Sequence, residues 1–170
     1  LAVCLRNPQT ARWRPAMVGP PARPSLAAIG ALAMAIDATA AATGLTTRFV
    51  ALDPVADHPL HLRIADRMAT RAEIRSPNLE GLLAEFADVD VVVTMRYHGA
   101  VAGALAGAPV VSLPFSPKLA ALADDLGPAM VAAHSPDDLP QSVTTALNGS
   151  DRLAGTVEGL IDLAGGNATT

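Results

Sequence analysis

Residues 89–99 of this 170-residue chain, which read VDVVVTMRYHG, indicate the fold class more clearly than any other stretch. Val91, Val92 and Val93 follow one another without polar alternation. A strand that is apolar on both sides is typical of the centre of a parallel sheet, because helices cover both of its faces. The stretch therefore predicts a central parallel strand that ends at a polar turn.

Short apolar runs and longer segments of helical periodicity alternate along the rest of the chain. Further strands are predicted at 1–5, 47–52, 72–75, 109–113 and 129–132. Helices are predicted from 25 to the glycine at 44 and at 59–68, 76–86, 99–106, 118–126, 136–147 and 151–163, with a proline-rich loop at 7–24. This alternation predicts βαβ units, and so an α/β domain with a Rossmann-like, doubly wound parallel sheet.

Composition and charge exclude several classes of function. A hydrophobic content of 51% with 16% charged residues excludes a disordered segment. The net charge of −4 does not favour nucleic acid or an anionic membrane, and the single cysteine, Cys4, excludes a disulfide framework. The alanine-rich stretch at 25–43 contains Asp37 and is expected to be too weakly hydrophobic for a transmembrane segment, so a cytoplasmic location is expected.

Cationic and imidazole groups follow three of the predicted strands. Arg6 follows the first, Arg96 and His98 follow the central strand, and Lys118 follows the next one. Ligands of doubly wound folds bind beyond the carboxyl ends of the strands, where helix N-termini also point. The sequence therefore predicts an anion-binding site at this edge of the sheet.

Individual residues in these loops suit a phosphorylated ligand. His98 is predicted at or near a helix N-cap, where free backbone N–H groups favour an anion, and Gly99 lets a ligand approach the main chain. Lys118, the only lysine, follows Ser116 at a predicted helix start and suits a phosphate contact. Each also has a plainer interpretation, as a capping histidine or a solvent-exposed helix start.

Other polar residues are interpreted as structural. Arg96 either contacts a ligand or ties its loop to a nearby carboxylate, and the second interpretation is favoured. His58 and His61, near Asp57 at the start of a predicted helix, lack a third ligand and are interpreted as a surface pair, so no metal site is expected. No dinucleotide fingerprint, P-loop or nucleophile elbow is present.

Two stretches and the lysine together carry a resemblance to a known family. Residues 90–100 read DVVVTMRYHGA, residues 107–113 read GAPVVSL, and Lys118 follows one loop later. This order resembles the polysaccharide pyruvyl transferase family, whose members have a strand, an R-[LY]-H-G turn, a small-residue helix, a G-x-P-V strand and a later lysine. The resemblance covers about residues 88–126, and Leu5-Arg6 resembles the end of the first strand of that family's C-terminal domain.

The resemblance implies a fold and a reaction. Residues 1–164 would be one Rossmann-like domain, equivalent to the C-terminal half of a two-domain GT-B-like enzyme whose N-terminal half is absent, and 165–170 a disordered tail. The family transfers the pyruvyl group of phosphoenolpyruvate (PEP) to two hydroxyls of a sugar, as a cyclic ketal, and releases phosphate. Its partners would be PEP and a glycan acceptor, free or lipid-linked at the inner face of the membrane, with no cofactor and no metal.

The same resemblance assigns roles to residues of this chain. His98 is expected to be the general acid or a PEP ligand, Lys118 a phosphate contact and Arg6 a second anion contact. The other substrate-binding residues are expected to be Arg96, Gly99 and Ser116. Two alternatives stay open, namely the donor domain of a nucleotide-sugar-dependent GT-B glycosyltransferase and a non-catalytic binding domain.

Overall fold

The structure of the protein, a computed structural model, describes residues 1–6, 24–78, 80–113, 117–127 and 130–149. Six parallel strands form one sheet, and they are β1 (Ala2–Cys4), β2 (Thr47–Val50), β3 (Ala72–Arg75), β4 (Val92–Thr94), β5 (Val110–Ser112) and β6 (Met130–Ala132). Five α-helices lie among the described residues, namely α1 (Leu26–Thr43), α2 (Pro54–Ala65), α3 (Tyr97–Leu105), α4 (Pro117–Leu126) and α5 (Leu139–Asn148). The predicted α/β class and Rossmann-like sheet are confirmed.

The strand order is β3-β2-β1-β4-β5-β6. From β1 the chain adds β2 and β3 on one side of the sheet. It then crosses back to β4, which pairs with β1, and adds β5 and β6 on the other side. Such a reversal leaves a crevice at the carboxyl ends of the two central strands, because the connections there turn to opposite sides. In this protein the crevice lies between the ends of β1 and β4.

The central strands are buried on both faces, as the valine run predicts. Val3 and Val93 belong to the core on the face that α1, α2 and α5 cover. Ala2 and Val92 belong to the core on the opposite face, together with Phe86 and residues of α3. Burial on both faces explains why these strands show no polar alternation.

Helix α1 is set by local signals that the sequence displays. The Ser25 hydroxyl caps its N-terminus by accepting a hydrogen bond from the Ala28 N–H at 3.0 Å. Gly44 ends it with a left-handed φ of 72°, and the Gly44 N–H donates to the Ala40 carbonyl at 2.8 Å. The predicted bounds of this helix are confirmed.

The same helix bears on the membrane question. Its 18 residues have a mean hydropathy of 1.6, which by length and composition alone is enough to cross a membrane, so the sequence-based argument from weak hydrophobicity is not sufficient. In the fold, Ile29, Ala33 and Ile36 are buried in the core. A helix packed in this way has the features of the core helix of an α/β domain.

Helix α2 begins five residues earlier than predicted. The Asp53 side chain accepts a hydrogen bond from the Ala56 N–H at 3.1 Å, and Pro54 occupies the first turn. An N-cap aspartate followed by proline is a helix-start signal, because proline has no N–H to leave unsatisfied there. The predicted start of this helix at residue 59 was therefore wrong.

The helix predicted at 76–86 is largely absent. A short 3₁₀ helix covers Ala84–Phe86, and Phe86 is buried whereas Leu83 is exposed. The Asn78 side chain accepts a hydrogen bond from the Gly81 N–H at 2.8 Å, which gives the backbone an alternative to helical bonding.

The predictions for the loop at 7–24 (apart from Pro24), the final helix at 151–163 and the tail at 165–170 lie outside the described residues. The domain boundaries therefore stay predictions.

Two glycines, Gly30 inside α1 and Gly44 at its end, test whether the left-handed backbone at the helix end requires glycine. Gly44→Ala is expected to lower the free energy of unfolding by about 1 kcal/mol, since alanine is strained at a left-handed φ. Gly30→Ala, inside α1 where an added Cβ meets nothing within 4 Å, is expected to raise the free energy of unfolding by about 0.5–1 kcal/mol. Urea unfolding measures both, and effects of equal sign would contradict the assignment.

Candidate functional site

The register between β1 and β4 places two arginines beside the crevice. Cys4 pairs with Thr94 across the two strands. Arg6 and Arg96 each follow this pair by two residues, so both lie just beyond the carboxyl ends of adjacent strands. The sequence analysis expects both residues at one edge of the sheet, and the strand register has them there, whereas their role in binding stays a prediction.

Arg96 is held by the carboxylate of Asp57, for which the sequence analysis predicted no partner. Its Nη2 donates to Oδ1 of Asp57, which is fully buried, while the Arg96 side chain is 15% exposed. The other Asp57 oxygen accepts a hydrogen bond from the Asp53 N–H at 3.0 Å. The structural interpretation of Arg96, as a tie between its loop and a carboxylate, is therefore confirmed.

Arg6 shares the electrostatic environment of this pair. Burial and the nearby Arg96 guanidinium lower the pKa of Arg6, while the Asp57 and Asp53 carboxylates act in the opposite direction. Arg6 is thus within electrostatic range of both members of the ion pair. Two guanidiniums and two carboxylates, those of Asp57 and Asp53, therefore make up the electrostatic surroundings at this edge.

His61 is a buried core residue, so its interpretation as half of a surface pair was wrong. Its Nε2 lies 3.2 Å from the Leu5 nitrogen and 3.1 Å from the Leu5 oxygen, and its ring stacks on Phe49 with centroids 5.0 Å apart. Burial, with smaller contributions from His58 and Arg96, lowers the pKa of His61 to about 4. The imidazole is therefore neutral near pH 7 and fixes the backbone immediately before Arg6.

The described residues were also compared with the ligand sets that metal ions need. They contain no group of three or more metal-ligating side chains. His58, the other member of the predicted pair, lies with its Nδ1 3.1 Å from the Ser76 hydroxyl instead. The two histidines thus make separate contacts.

His98 is exposed in the first turn of α3. The N-cap of this helix is Arg96, whose side chain makes no capping hydrogen bond. The His98 ring meets the Tyr97 ring edge-on, with centroids 5.8 Å apart and an interplanar angle of 85°. His98 therefore stands at a helix N-terminus that no side chain of the cap residue satisfies, which favours an anion nearby.

Gly99 has a packing reason that differs from the predicted one. An added Cβ would lie 2.7 Å from the Thr94 hydroxyl oxygen and 3.2 Å from the Cys4 Cβ. The Thr94 hydroxyl also accepts a hydrogen bond from the Arg96 N–H at 2.8 Å. The geometry thus requires glycine so that α3 can start close to the sheet, whereas its role in binding a ligand stays a prediction.

Lys118 is exposed in the first turn of α4. Its neighbour Leu119 is buried in a cluster that includes Ala100 from the first half of α3. The starts of α3 and α4 therefore lie side by side on the same face of the sheet, beyond the adjacent strands β4 and β5. His98 and Lys118 share this edge and this face, while Ser116 lies outside the described residues.

The fold and site together define a class of protein. A doubly wound parallel sheet with arginines, an imidazole and an ammonium at its carboxyl edge is an α/β domain of the Rossmann-like class, in which ligands bind at that edge. Residues 38–117 match the family model of the polysaccharide pyruvyl transferases, so the resemblance found in the sequence is confirmed. The match supports a transferase, and the chain has no match among the curated proteins.

The family match covers part of the candidate site. It includes Arg96, His98 and Gly99, and it also contains Asp57 and His61. Arg6 lies before the matched segment and Lys118 immediately after it. The assignment of those two cations therefore depends on their position in the fold.

The sequence does contain a signal for the buried carboxylate that was missed. Asp57, Leu60, His61 and Ile64 have the i, i+3, i+4, i+7 spacing of one helix face, and all four are buried. Polar residues on an otherwise apolar helix face point inward and need partners there. Because the predicted helix began after Asp57, this residue was not placed on that face.

The buried ion pair predicts the effect of losing one partner. Arg96→Gln leaves the Asp57 carboxylate buried without its cation, so the free energy of unfolding should fall by about 3–5 kcal/mol. The double variant Arg96→Gln/Asp57→Asn leaves no unpaired buried charge and should recover most of this loss. Urea unfolding measures the change, with Arg71→Gln at an exposed position as the control, expected within about 0.5 kcal/mol of wild type. An equal effect of both arginine substitutions would contradict the assignment.

His61 predicts how stability depends on pH. Its folded pKa is about 4 and the unfolded value is near 6.5, so the unfolded state binds the proton first. Its contribution is complete above pH 6.5 and is lost as the pH falls towards 4, by up to about 3 kcal/mol. His61→Gln can still contact the Leu5 backbone but cannot titrate, so its free energy of unfolding should fall less over this range. Parallel pH profiles would refute the assignment.

Proposed function

We propose that this chain is the PEP-binding domain of a polysaccharide pyruvyl transferase. The observation that carries the proposal is the placement of Arg6, Arg96 and His98 at the crevice between β1 and β4, with Lys118 at the next helix start. The family match over residues 38–117 supports the reaction class. In this proposal PEP is the donor, and the pyruvyl group moves to sugar hydroxyls of a cell-surface polysaccharide or its precursor.

The charges of PEP explain why several cations are needed. Its carboxylate and its phosphate are both anionic, so a site that binds both needs positive groups at two places. We assign the carboxylate to Arg96 and Arg6, which lie together beyond the central strands. We assign the phosphate to Lys118, with Ser116 as a further predicted contact and the N-terminus of α3 as an additional favourable field.

The reaction proceeds by proton transfer to carbon and attack by oxygen. His98 donates a proton to carbon 3 of the enol as one sugar hydroxyl adds to carbon 2, and the proton lost by that hydroxyl restores the acid. A second hydroxyl then displaces phosphate from carbon 2, which closes the cyclic ketal, and its proton leaves with the phosphate. Imidazole suits this role because its protonation changes near neutral pH.

The acceptor side of the reaction is a wider part of the same proposal. The described cations lie at the carboxyl edge of the sheet, and a sugar acceptor would need a protein surface beside them. We propose that a second Rossmann-like half covers this edge and binds the glycan, in a GT-B-like arrangement. In this proposal the site is cytoplasmic, and it lies at the inner face of the membrane where the acceptor is lipid-linked.

Calorimetric titration of the chain with PEP tests the donor assignment. Lys118→Ala is expected to weaken PEP binding by about tenfold or more, because a charged hydrogen bond is lost. Arg71→Ala removes an exposed cation at the opposite edge of the sheet and should leave PEP affinity unchanged. His98→Ala should also weaken binding, whereas His134→Ala, at an exposed histidine after the edge strand β6, should not.

Three outcomes would overturn the proposed function. PEP binding that is indifferent to both Lys118→Ala and His98→Ala would show that the ligand lies elsewhere. Tighter binding of a UDP-sugar than of PEP would favour a nucleotide-sugar-dependent glycosyltransferase. No binding of either ligand would favour the non-catalytic alternative.

A further inference from the structure

We propose that Asp57 is a positioning residue that holds the Arg96 guanidinium in the orientation that receives the donor anion. The inference rests on the proposed function, since it concerns how that site is held together. Asp57 itself does not touch the ligand in this proposal. It acts through Arg96, from the buried side of the site.

Both oxygens of Asp57 are committed, which is why this carboxylate can fix another group. Oδ1 accepts from Arg96 and Oδ2 accepts from the Asp53 N–H, at the start of the same helix. Rotation of the carboxylate would break one of these bonds inside a site that water does not reach, since Asp57 is fully buried. Arg96 is thus attached to a partner that is itself immobile.

The backbone beside Arg96 is fixed as well. The Thr94 hydroxyl accepts from the Arg96 N–H at 2.8 Å and donates to the Arg96 carbonyl at 3.0 Å. The Arg96 side chain is therefore anchored at its base by Thr94 and at its tip by Asp57. Little freedom remains to be lost when an anion binds, and such preorganisation strengthens binding.

The same face of α2 also holds the strand that carries Arg6. His61 lies one helical turn beyond Asp57 and contacts the Leu5 backbone through Nε2. One helix face thus fixes Arg96 through Asp57 and the residue before Arg6 through His61. Helix α2 sets the relative positions of the two guanidiniums although it contributes no cation to the site.

A bound anion is not expected to displace Asp57. Doing so would leave a fully buried carboxylate without its cation, which proteins avoid. Arginine has five N–H donors, of which Asp57 uses one. Arg96 therefore keeps the Asp57 contact and still has guanidinium donors for the ligand besides its buried Nε.

The effect of Asp57→Asn on PEP affinity separates a positioning role from simple electrostatics, because the two predict changes in opposite directions. Asp57→Asn removes a negative charge from a site that binds an anion, so electrostatics alone predicts tighter PEP binding. Asparagine has one oxygen where aspartate uses two, so it cannot serve both Arg96 and the Asp53 N–H. The positioning role therefore predicts weaker binding, by about tenfold.

Asp53→Asn is the matched control. It removes the same charge one turn earlier on α2, at an exposed residue within electrostatic range of Arg6, and asparagine remains a good N-cap. PEP calorimetry should show unchanged or slightly tighter binding for Asp53→Asn and weaker binding for Asp57→Asn. Equal or tighter binding by Asp57→Asn would overturn the inference.

The double variant tests whether Asp57 acts through Arg96. Arg96→Gln/Asp57→Asn should bind PEP no more weakly than Arg96→Gln does, since a positioning residue has nothing to position once its target is gone. A further loss of affinity in the double variant would mean that Asp57 acts by another route. Circular dichroism and thermal unfolding establish that each variant is folded before its affinity is compared.

A measurement on the wild-type chain keeps the inference separate from the proposed function and from the folding of variants. Side-chain NMR of Arg96 should show a rigid guanidinium with slow rotation both without ligand and with PEP or inorganic phosphate. A mobile Arg96 guanidinium in the wild-type chain would overturn the inference. If Arg96 is rigid but neither PEP nor phosphate binds, the proposed function fails while the Asp57–Arg96 constraint stands.

Discussion

The parallel register between β1 and β4 is the constraint on which the rest of the site depends. Cys4 opposes Thr94, and the Met95 N–H donates to the Cys4 carbonyl at 2.9 Å. Two residues after this pair, each of the two segments carries an arginine, Arg6 after β1 and Arg96 after β4. A slip of one residue would turn every side chain of one strand to the other face, so the hydrophobic core that fixes this register also fixes the spacing of the two cations.

The fold was largely predictable because its signals are local. The valine run over 91–93 indicates a strand covered on both faces, and Ser25 and Gly44 mark the ends of α1. The helix expected at 76–86 failed for a reason that periodicity does not contain, since the Asn78 side chain takes up a backbone N–H there. Hydrophobic spacing alone does not reveal such competition between side chain and backbone.

The candidate site was predictable only in its cations. Arg6, Arg96 and His98 follow strands, and the topology of a doubly wound sheet brings such residues together. The partner of Arg96 could not be assigned, because Asp57 lies 39 residues earlier in the sequence. In addition, the predicted start of its helix, at residue 59, lay after Asp57. An ion pair between distant elements leaves no periodic signal, although the inward face shared by Asp57 and His61 does indicate that each needs a buried partner.

Net charge and site charge are independent in this protein, and that separation has a physical cause. The chain carries a net charge of −4, yet Arg6 and Arg96 both lie beyond the ends of its central strands, within electrostatic range of the Asp57 and Asp53 carboxylates. Charges on the solvent-exposed surface are screened within about 10 Å, whereas partly buried groups are screened much less. A small anion in the crevice therefore responds to Arg6, Arg96 and Asp57 more than to the acidic surface. An extended polyanion would meet that surface, so an acidic domain can carry cations at one edge of its sheet and still repel nucleic acid.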